Sequence, residues 1–117
     1  MEVHPIETIT FDKFLKVELR VGKIVDATEF VGARRPAYIL HIDFGEEIGV
    51  KKSSAQITAL YKPEELIGGL VVAVVNFPCK QIGLLMSDCL VTGFQSENRE
   101  VALCILDKSV LLGSKLL

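Results

Sequence analysis

The chain has 117 residues, half of them hydrophobic, and a formal net charge of −2. The length fits one domain, 1–117, and the slightly acidic balance excludes nucleic-acid binding driven by overall charge, although a local basic patch remains possible. No apolar stretch approaches the roughly 20 residues of a membrane-spanning helix, and the N-terminus lacks the basic-then-apolar order of a signal peptide. We therefore expect a soluble, cytoplasmic protein without membrane insertion, part of whose apolar surface a partner covers.

The cysteines predict neither a metal site nor a disulfide framework. Cys79, Cys89 and Cys104 are odd in number, form no Cys-x-x-Cys pair and are not spaced to share a metal with the two histidines. Reduced thiols, no metal and no cofactor are what this pattern predicts. Cys89 and Cys104 lie in apolar strands as small buried hydrophobes. Cys79 differs because Lys80 follows it, and an adjacent cation can lower the pKa of a thiol.

The first third of the chain predicts a short helix and then a long, bent strand. Thr10 is a favourable N-cap, and "FDKFLKV" after it places apolar residues on one helical face. From Val17 the pattern changes to the alternation of a half-buried strand. Gly22 interrupts that alternation, so we expect a bulge or sharp bend there that lets the sheet curl.

The middle of the chain predicts two further strands and a short helical connection. "RRP" at 34–36 marks a turn before "YILHIDF" at 38–44, the clearest alternation in the chain. "VKKSSA" at 50–55 is predicted as the third strand. "TALYKPEELIG" at 58–68 follows as a short helical segment in which Pro63 begins the helical turn.

The last part of the chain predicts two more strands and an apolar tail. "LVVAVVNF" at 70–77 is apolar on both faces and is predicted as a buried strand, "PCKQIGLLMS" at 78–87 as a long loop, and "DCLVTGF" at 88–94 as the fifth strand. Five strands with a helix between the third and fourth predict an all-β, five-stranded OB-fold barrel.

The two ends of the chain are predicted to form a dimer interface. The barrel core is placed at roughly 17–95, with extensions at roughly 1–16 and 96–117. "VALCIL" at 101–106 has no polar face, so a single barrel cannot cover both of its sides. An exposed apolar edge promotes aggregation unless it is paired. We therefore expect the extensions to pair across a two-fold axis in a homodimer.

Three basic clusters are candidates for binding an anion. "KKSS" at 51–54 is either an ordinary strand end leading into a helix start or a phosphate-binding surface. Arg34 and Arg35 precede the second strand, and Lys80 lies in the long loop before the fifth. These two connections border the ligand site of an OB-fold. Each cluster alone is typical of solvated surface, but three on one rim favour binding.

Six motifs stand out by their order and spacing: "LRVGKI" at 19–24, "ARRPAYILHIDFG" at 33–45, "KKSSAQIT" at 51–58, "YKPEELIG" at 61–68, "VVNFP" at 74–78 and "SDCLVTGF" at 87–94. Together they resemble the tRNA-binding domain family, and specifically its stand-alone dimeric branch of CsaA-type, export-related chaperones. The resemblance covers residues 11–117. Where synthetase-attached members carry His-Pro-Asp-Ala-Asp, this chain has "GARRP", and where they carry Ser-Gln-Gly-Met it has "SDCL". Both departures favour the CsaA-type branch.

The resemblance implies a homodimer that binds tRNA, unfolded or pre-secretory polypeptides, or both, in connection with the protein-export machinery. The alternative is an RNA-binding module that acts in trans with an aminoacyl-tRNA synthetase and has no chaperone activity. The residues predicted to bind RNA are Arg34, Arg35, Lys51, Lys52, Ser53, Ser54, Gln56, Asn76, Lys80 and Ser87. Those predicted to bind polypeptide are Phe77, Leu84, Leu85 and Met86.

The sequence predicts a binding protein rather than an enzyme. It contains no Ser-His-Asp set, paired carboxylates, metal-ligand spacing or glycine-rich phosphate loop. Asp88 and His41 are the two candidates for acid–base chemistry, and a strand end and a barrel face explain them better.

Overall fold

The computed structural model describes residues 5–116, so residues 1–4 and 117 of the predicted extensions lie outside the described residues. Its elements, in chain order, are α1 (Phe11–Phe14), β1 (Leu19–Glu29), β2 (Tyr38–Asp43), β3 (Val50–Ala55), α2 (Pro63–Leu66), β4 (Leu70–Val74), β5 (Lys80–Ile82), β6 (Leu85–Ser87), β7 (Leu90–Val91), β8 (Gly93–Gln95) and β9 (Val101–Leu103).

Five antiparallel strands form the main sheet in the order β3-β2-β1-β4-β7. β1 is shared, because residues 19–23 pair with β4 and residues 23–29 pair with β2. The two edges of the sheet meet where the Asp88 N–H donates to the carbonyl oxygen of Lys52 at 2.8 Å. The sheet therefore curls into a nearly closed barrel, with α2 between the third and fourth strands. This architecture confirms the predicted OB-fold.

The bend in β1 arises differently from the prediction. The register shift against β2 falls between Ile24 and Asp26, so the bulge is not at Gly22. Gly22 instead faces the interior, where an added Cβ would lie 2.7 Å from a ring carbon of Phe44 and closer still to Ile42. Glycine is required here by close packing across the barrel, and the bulge three residues later provides the curvature.

The barrel interior is a single apolar core supplied by alternate residues of the strands. Tyr38, Leu40 and Ile42 of β2 are buried, whereas Ile39 and His41 between them are only half-buried. In β4, Val71, Ala73 and Val74 are buried, whereas Leu70 and Val72 are half-buried, so the predicted burial of both faces is only partly met. The largest fully buried side chains are Phe44, Ile24, Leu40, Ile42 and Val71.

The two short helices lie where the sequence places them. The Lys13 N–H donates to Thr10 Oγ1 at 3.2 Å, so Thr10 caps α1 as predicted. α2 is one turn long, begins at Pro63 and buries Leu66. None of the helices among the described residues is long and apolar enough to cross a bilayer.

The segment 78–87 is not the irregular loop that the sequence predicts. It forms a hairpin in which β5 pairs with β6 around Gly83 and Leu84. Gly83 has φ +57°, and glycine at the first central position suits a two-residue type II′ turn. The predicted fifth strand is likewise divided into β7 and β8, which belong to different sheets.

The C-terminal tail lies along its own barrel. The Val21 N–H donates to the Ser114 carbonyl oxygen at 3.0 Å, and the Leu116 N–H donates to that of Leu19, also at 3.0 Å. β9 pairs with β8, and Ile105 bridges to Val71. The backbone of "VALCIL" thus finds partners within the chain, whereas apolar side chains such as Phe94 and Leu111 remain exposed. The homodimer and the division into core and extensions stay predictions.

Candidate functional site

Two adjoining depressions lie between the β1–β2 loop, β3 and the β5–β6 hairpin. We call the first, of about 510 Å³, the basic basin; the second, of about 650 Å³, is the apolar basin. Together they form the groove. Both are lined by Ser54, Lys80, Gln81 and Ile82. The basic basin adds Gly32, Ala33, Arg34, Arg35, Ala37, Gln56 and Gly83, and the apolar basin adds Phe77, Pro78, Cys79, Ser87, Asp88, Cys89 and Leu90.

A second, smaller hydrophobic cluster holds the walls of the groove in place. Phe30 and Ala37 from the β1–β2 loop pack with Leu85 from the hairpin, and half-buried Ile82 joins them. Gly83 lies against the Phe30 ring, where an added Cβ would be 3.4 Å from Phe30 Cζ. The loop and the hairpin are therefore one packed unit outside the main core, and they fix the width of the basic basin.

The basic basin concentrates positive charge on an otherwise slightly acidic molecule. Arg34, Arg35 and Lys80 line it, although the arginines and the lysine are far apart in the sequence. None of its lining residues is acidic, and no carboxylate within residues 5–116 forms an ion pair with these three cations. Gln56 and Gln81 add amide donors. This chemistry suits an anion such as phosphate.

The apolar basin is walled by Phe77, Pro78, Ile82 and Leu90 and contains a fixed carboxylate. Asp88 is the sole acidic residue that lines either basin, within the part of the chain that the structure describes. Its Oδ2 accepts from the Lys52 N–H at 3.3 Å, and its Oδ1 accepts from Cys79 Sγ at 3.2 Å. Both oxygens are therefore oriented by the protein.

The pKa values of the two thiols near the groove are raised. The hydrogen bond to the Asp88 carboxylate, together with desolvation, raises the pKa of Cys79, and the charge of Lys51 only partly opposes this. The sequence left open whether Cys79 is a low-pKa thiol, and its hydrogen bond to Asp88 favours the opposite direction. Burial raises the pKa of Cys89 to about 12. Among the described residues, no three His, Cys, Asp or Glu side chains are grouped to hold a metal.

The residues predicted on β3 divide between its two faces. Ser54 lines both basins, and Gln56, just beyond the strand, lines the basic one. Ser53 is 1% exposed and lies inside the barrel, so it cannot contact a ligand on the surface. Lys51 and Lys52 are neighbours on a strand and point to opposite faces. Neither lines the groove.

Asn76, also predicted to bind RNA, does not line the groove and makes two hydrogen bonds within the chain. Its Oδ1 accepts from the Glu18 N–H at 3.1 Å, and its Nδ2 donates to the Lys16 carbonyl oxygen at 2.6 Å. These bonds fasten the segment before β1 to the end of β4. Ser87 lines the apolar basin, where its hydroxyl lies 3.4 Å from the carbonyl oxygen of Cys89.

The four residues predicted to bind polypeptide do not form one continuous surface. Phe77 lines the apolar basin, while Leu84 at the hairpin turn is 100% exposed and Met86 is partly exposed. Leu85 is buried against Phe30 and is therefore unable to contact a polypeptide directly.

Several residues that line the groove were absent from the predicted set, among them Gln81, Ile82 and Asp88. Gln81 and Ile82 belong to the hairpin, and Asp88 joins the two edges of the barrel. The two-residue turn at Gly83 and Leu84, flanked by short segments of mixed polarity, is the signal that predicts the hairpin.

The whole barrel and its tail match a known family. The family described as "Putative tRNA binding domain" matches residues 19–115, from the start of β1 into the tail. This chain belongs to the tRNA-binding domain family. The membership confirms the resemblance that the sequence motifs carry.

Relatives of known function contain this domain as a small part. The methionine–tRNA ligase of Thermococcus kodakarensis is 36% identical over 111 residues, which cover 95% of this chain and 14% of the ligase. That of Leptospira biflexa is 34% identical over 108 residues, covering 92% of this chain and 15% of the ligase. The chain therefore spans only a small fraction of the ligases that it matches.

Solved structures match the chain along almost its full length. The chaperone CsaA from Bacillus anthracis has a TM-score of 0.87 and 45% identity, covering 94% of this chain and 99% of that chain. The CsaA chaperone protein from Picrophilus torridus has a TM-score of 0.87 and 44% identity, covering 94% and 100%. Both neighbours agree with the predicted likeness to the CsaA-type branch.

Proposed function

We propose that the protein binds tRNA in the groove, mainly through phosphate contacts in the basic basin. The observation that carries this proposal is the convergence of Arg34, Arg35 and Lys80 in one depression that has no acidic lining residue. Ser54 and Gln56 add hydrogen-bond donors beside them. Phosphates supply most of the affinity in nucleic-acid complexes, so three cations at one place can overcome a net charge of −2. A binding role without catalysis is part of this proposal.

The charge of the groove favours RNA over pre-secretory polypeptide as the principal ligand. Signal sequences begin with a positively charged region, which the basic basin would repel. An RNA chain brings regularly spaced negative charges to the same cations.

Titration at two salt concentrations separates the two ligand classes. Bulk tRNA and one chemically unfolded polypeptide are each titrated at about 50 mM and about 200 mM salt. We expect the affinity for tRNA to fall steeply because counterion release is lost, whereas binding to apolar surface persists or strengthens. An affinity for tRNA that does not respond to salt, or no binding of tRNA at all, would contradict the proposal.

A second candidate function is chaperone activity on the outer edge of the hairpin. Leu84 is fully exposed and Met86 is 42% exposed on the hairpin, and Phe77 in the neighbouring apolar basin is 55% exposed, which leaves apolar contact area on and next to the hairpin. If this surface holds unfolded polypeptide, Leu84→Ser should weaken suppression of aggregation and leave tRNA binding intact. Unchanged suppression by that variant would remove the support for this candidate.

A role in trans with an aminoacyl-tRNA synthetase is the alternative to an export function. It would use the same groove on tRNA, and it requires association with a synthetase. Co-sedimentation of the protein with a methionine–tRNA ligase in the presence and absence of tRNA tests it. If the two proteins do not co-sediment in either condition, the role in trans is contradicted and the CsaA-like role is the one that stays.

A further inference from the structure

The apolar basin has a chemistry that phosphate binding does not explain. It joins the basic basin at Ser54 and Lys80, yet it contains the carboxylate of Asp88, which repels phosphate. It also carries a partly exposed aromatic ring, Phe77, at its wall. A ligand that fills both basins must be anionic at one end and, at the other, flat, apolar and able to donate hydrogen bonds. A nucleotide has this composition.

The fixed geometry of Asp88 restricts which base it can accept. Each of its oxygens already accepts one bond, from Cys79 Sγ at 3.2 Å and from the Lys52 N–H at 3.3 Å. A carboxylate has about four lone-pair positions, so each oxygen can accept one further donor. The carboxylate therefore presents two adjacent acceptors and no donor to the basin.

Guanine is the one standard base whose Watson–Crick edge offers two adjacent donors, N1–H and the N2 amino group. Cytosine and adenine present one amino group beside an unprotonated ring nitrogen, which would face a carboxylate oxygen. Uracil presents one N–H between two carbonyl oxygens. Only guanine satisfies both oxygens of Asp88 together.

We propose that the apolar basin is a subsite for a single unpaired guanine, which stacks on Phe77 and donates from N1–H and N2–H to Asp88, while its flanking phosphates lie on Arg34, Arg35 and Lys80. The basin of about 650 Å³ has room for a purine. This inference rests on the proposed RNA binding and adds a base preference to it. Bases splayed out of a helix are commonly read through stacking and through the Watson–Crick edge.

The test uses short single strands that differ in one base. Fluorescence anisotropy measures the binding of UUUGUUU, UUUCUUU, UUUAUUU and U7 to the full-length protein at low salt. We expect UUUGUUU to bind at least about fivefold more tightly than the other three, as a bidentate contact provides. Asp88→Asn should bring this ratio close to one, and Asp107→Asn, a change at an exposed aspartate outside the groove, should leave it unchanged.

A second pair of variants keeps the test valid if Asp88→Asn weakens the fold. Phe77→Leu should lower the affinity for UUUGUUU about fivefold or more because it removes stacking, and Phe77→Tyr should retain that affinity. Bound UUUGUUU should also slow the alkylation of Cys79, which lines the same basin, more than U7 does at equal occupancy.

The outcomes separate this inference from the proposed function. Equal binding of all four strands by a protein that still binds tRNA would overturn the guanine subsite alone. Binding of neither tRNA nor any strand would overturn both. An apolar peptide that shields Cys79 while UUUGUUU does not would assign the basin to polypeptide and overturn the subsite.

Discussion

Asp88 shows how one residue combines a structural and a chemical role. Its backbone N–H and its carboxylate both bond to Lys52, so it joins the two edges of the barrel, and the same carboxylate accepts from the Cys79 thiol. The hydrogen bond stabilises the thiol against the thiolate, which is why the pKa of Cys79 lies above its ordinary value of 9.0. The lysine that follows Cys79 in the sequence therefore does not decide the direction in which the pKa of this thiol shifts.

At the residue scale we predict that Cys79 reacts slowly with iodoacetamide at neutral pH and that its rate is still rising with pH at pH 9. A raised pKa means that the thiolate is scarce at neutral pH. Asp88→Asn removes the negative charge, lowers the pKa of Cys79 and should increase labelling at pH 8, whereas Asp107→Asn should not. Peptide mapping by mass spectrometry follows the label at Cys79. Equal labelling rates in wild type and Asp88→Asn would show that the carboxylate does not control the thiol.

At the element scale, the strands with clear alternation were predictable and the register was not. Burial of Tyr38, Leu40 and Ile42 follows directly from the period of two in β2. The pairing of Leu40 with Ser53 places Ser53 inside the barrel, and this depends on the register between β2 and β3, which no local pattern in β3 specifies. Ser53 was therefore assigned to the wrong face.

The hairpin and the tail were missed for different physical reasons. β5 and β6 have three residues each, too few to show a period, and their stability comes from packing on Phe30. The tail lies on β1 largely through backbone hydrogen bonds, which are independent of side-chain type, and Arg20 adds a side-chain bond to the Gly113 carbonyl oxygen. The groove residues Arg34, Arg35, Ser54, Gln56 and Lys80 were predictable because the OB-fold brings these connections together.

Gly22 provides a prediction on β1. Gly22→Ala would drive a methyl group into the Phe44 ring and Ile42 within a closed barrel, so we expect the free energy of unfolding to fall by about 1–3 kcal/mol. Lys23→Ala, at the exposed neighbouring position, should change it by less than about 0.5 kcal/mol. Denaturant unfolding compares the two variants. A Gly22→Ala protein as stable as the Lys23→Ala protein would mean that the barrel can open at this point.

At the scale of the whole molecule, the exposed apolar side chains near the tail need an explanation that the single chain does not supply. Phe94 is 76% exposed and Leu111 is 83% exposed, although the backbone around them is hydrogen-bonded. This combination supports the proposed homodimer, because a stable interface buries at least about 1,200 Å² in total. The groove lies on a different set of elements, so two grooves would be available to one RNA.

Leu111→Glu tests the dimer without removing the tail. We expect wild type to sediment as a dimer and Leu111→Glu as a folded monomer, since a buried charge at an interface is strongly unfavourable. Val31→Glu places the same charge at a side chain that is 89% exposed beside the groove and should leave the dimer intact. A monomeric wild type, or a dimeric Leu111→Glu protein, would refute an interface at the tail.

The central claim, that the basic basin binds tRNA, is tested most directly by the salt dependence of one paired set of variants. Arg34→Ala/Arg35→Ala removes two cations from the basin, and Lys62→Ala/Lys108→Ala removes two exposed cations elsewhere, so overall charge is matched. The slope of log affinity for tRNA against log salt should become shallower by roughly one to two units in the arginine variant. It should stay at the wild-type value in the lysine variant. Equal slopes and affinities in wild type and the arginine variant would contradict the proposed binding site.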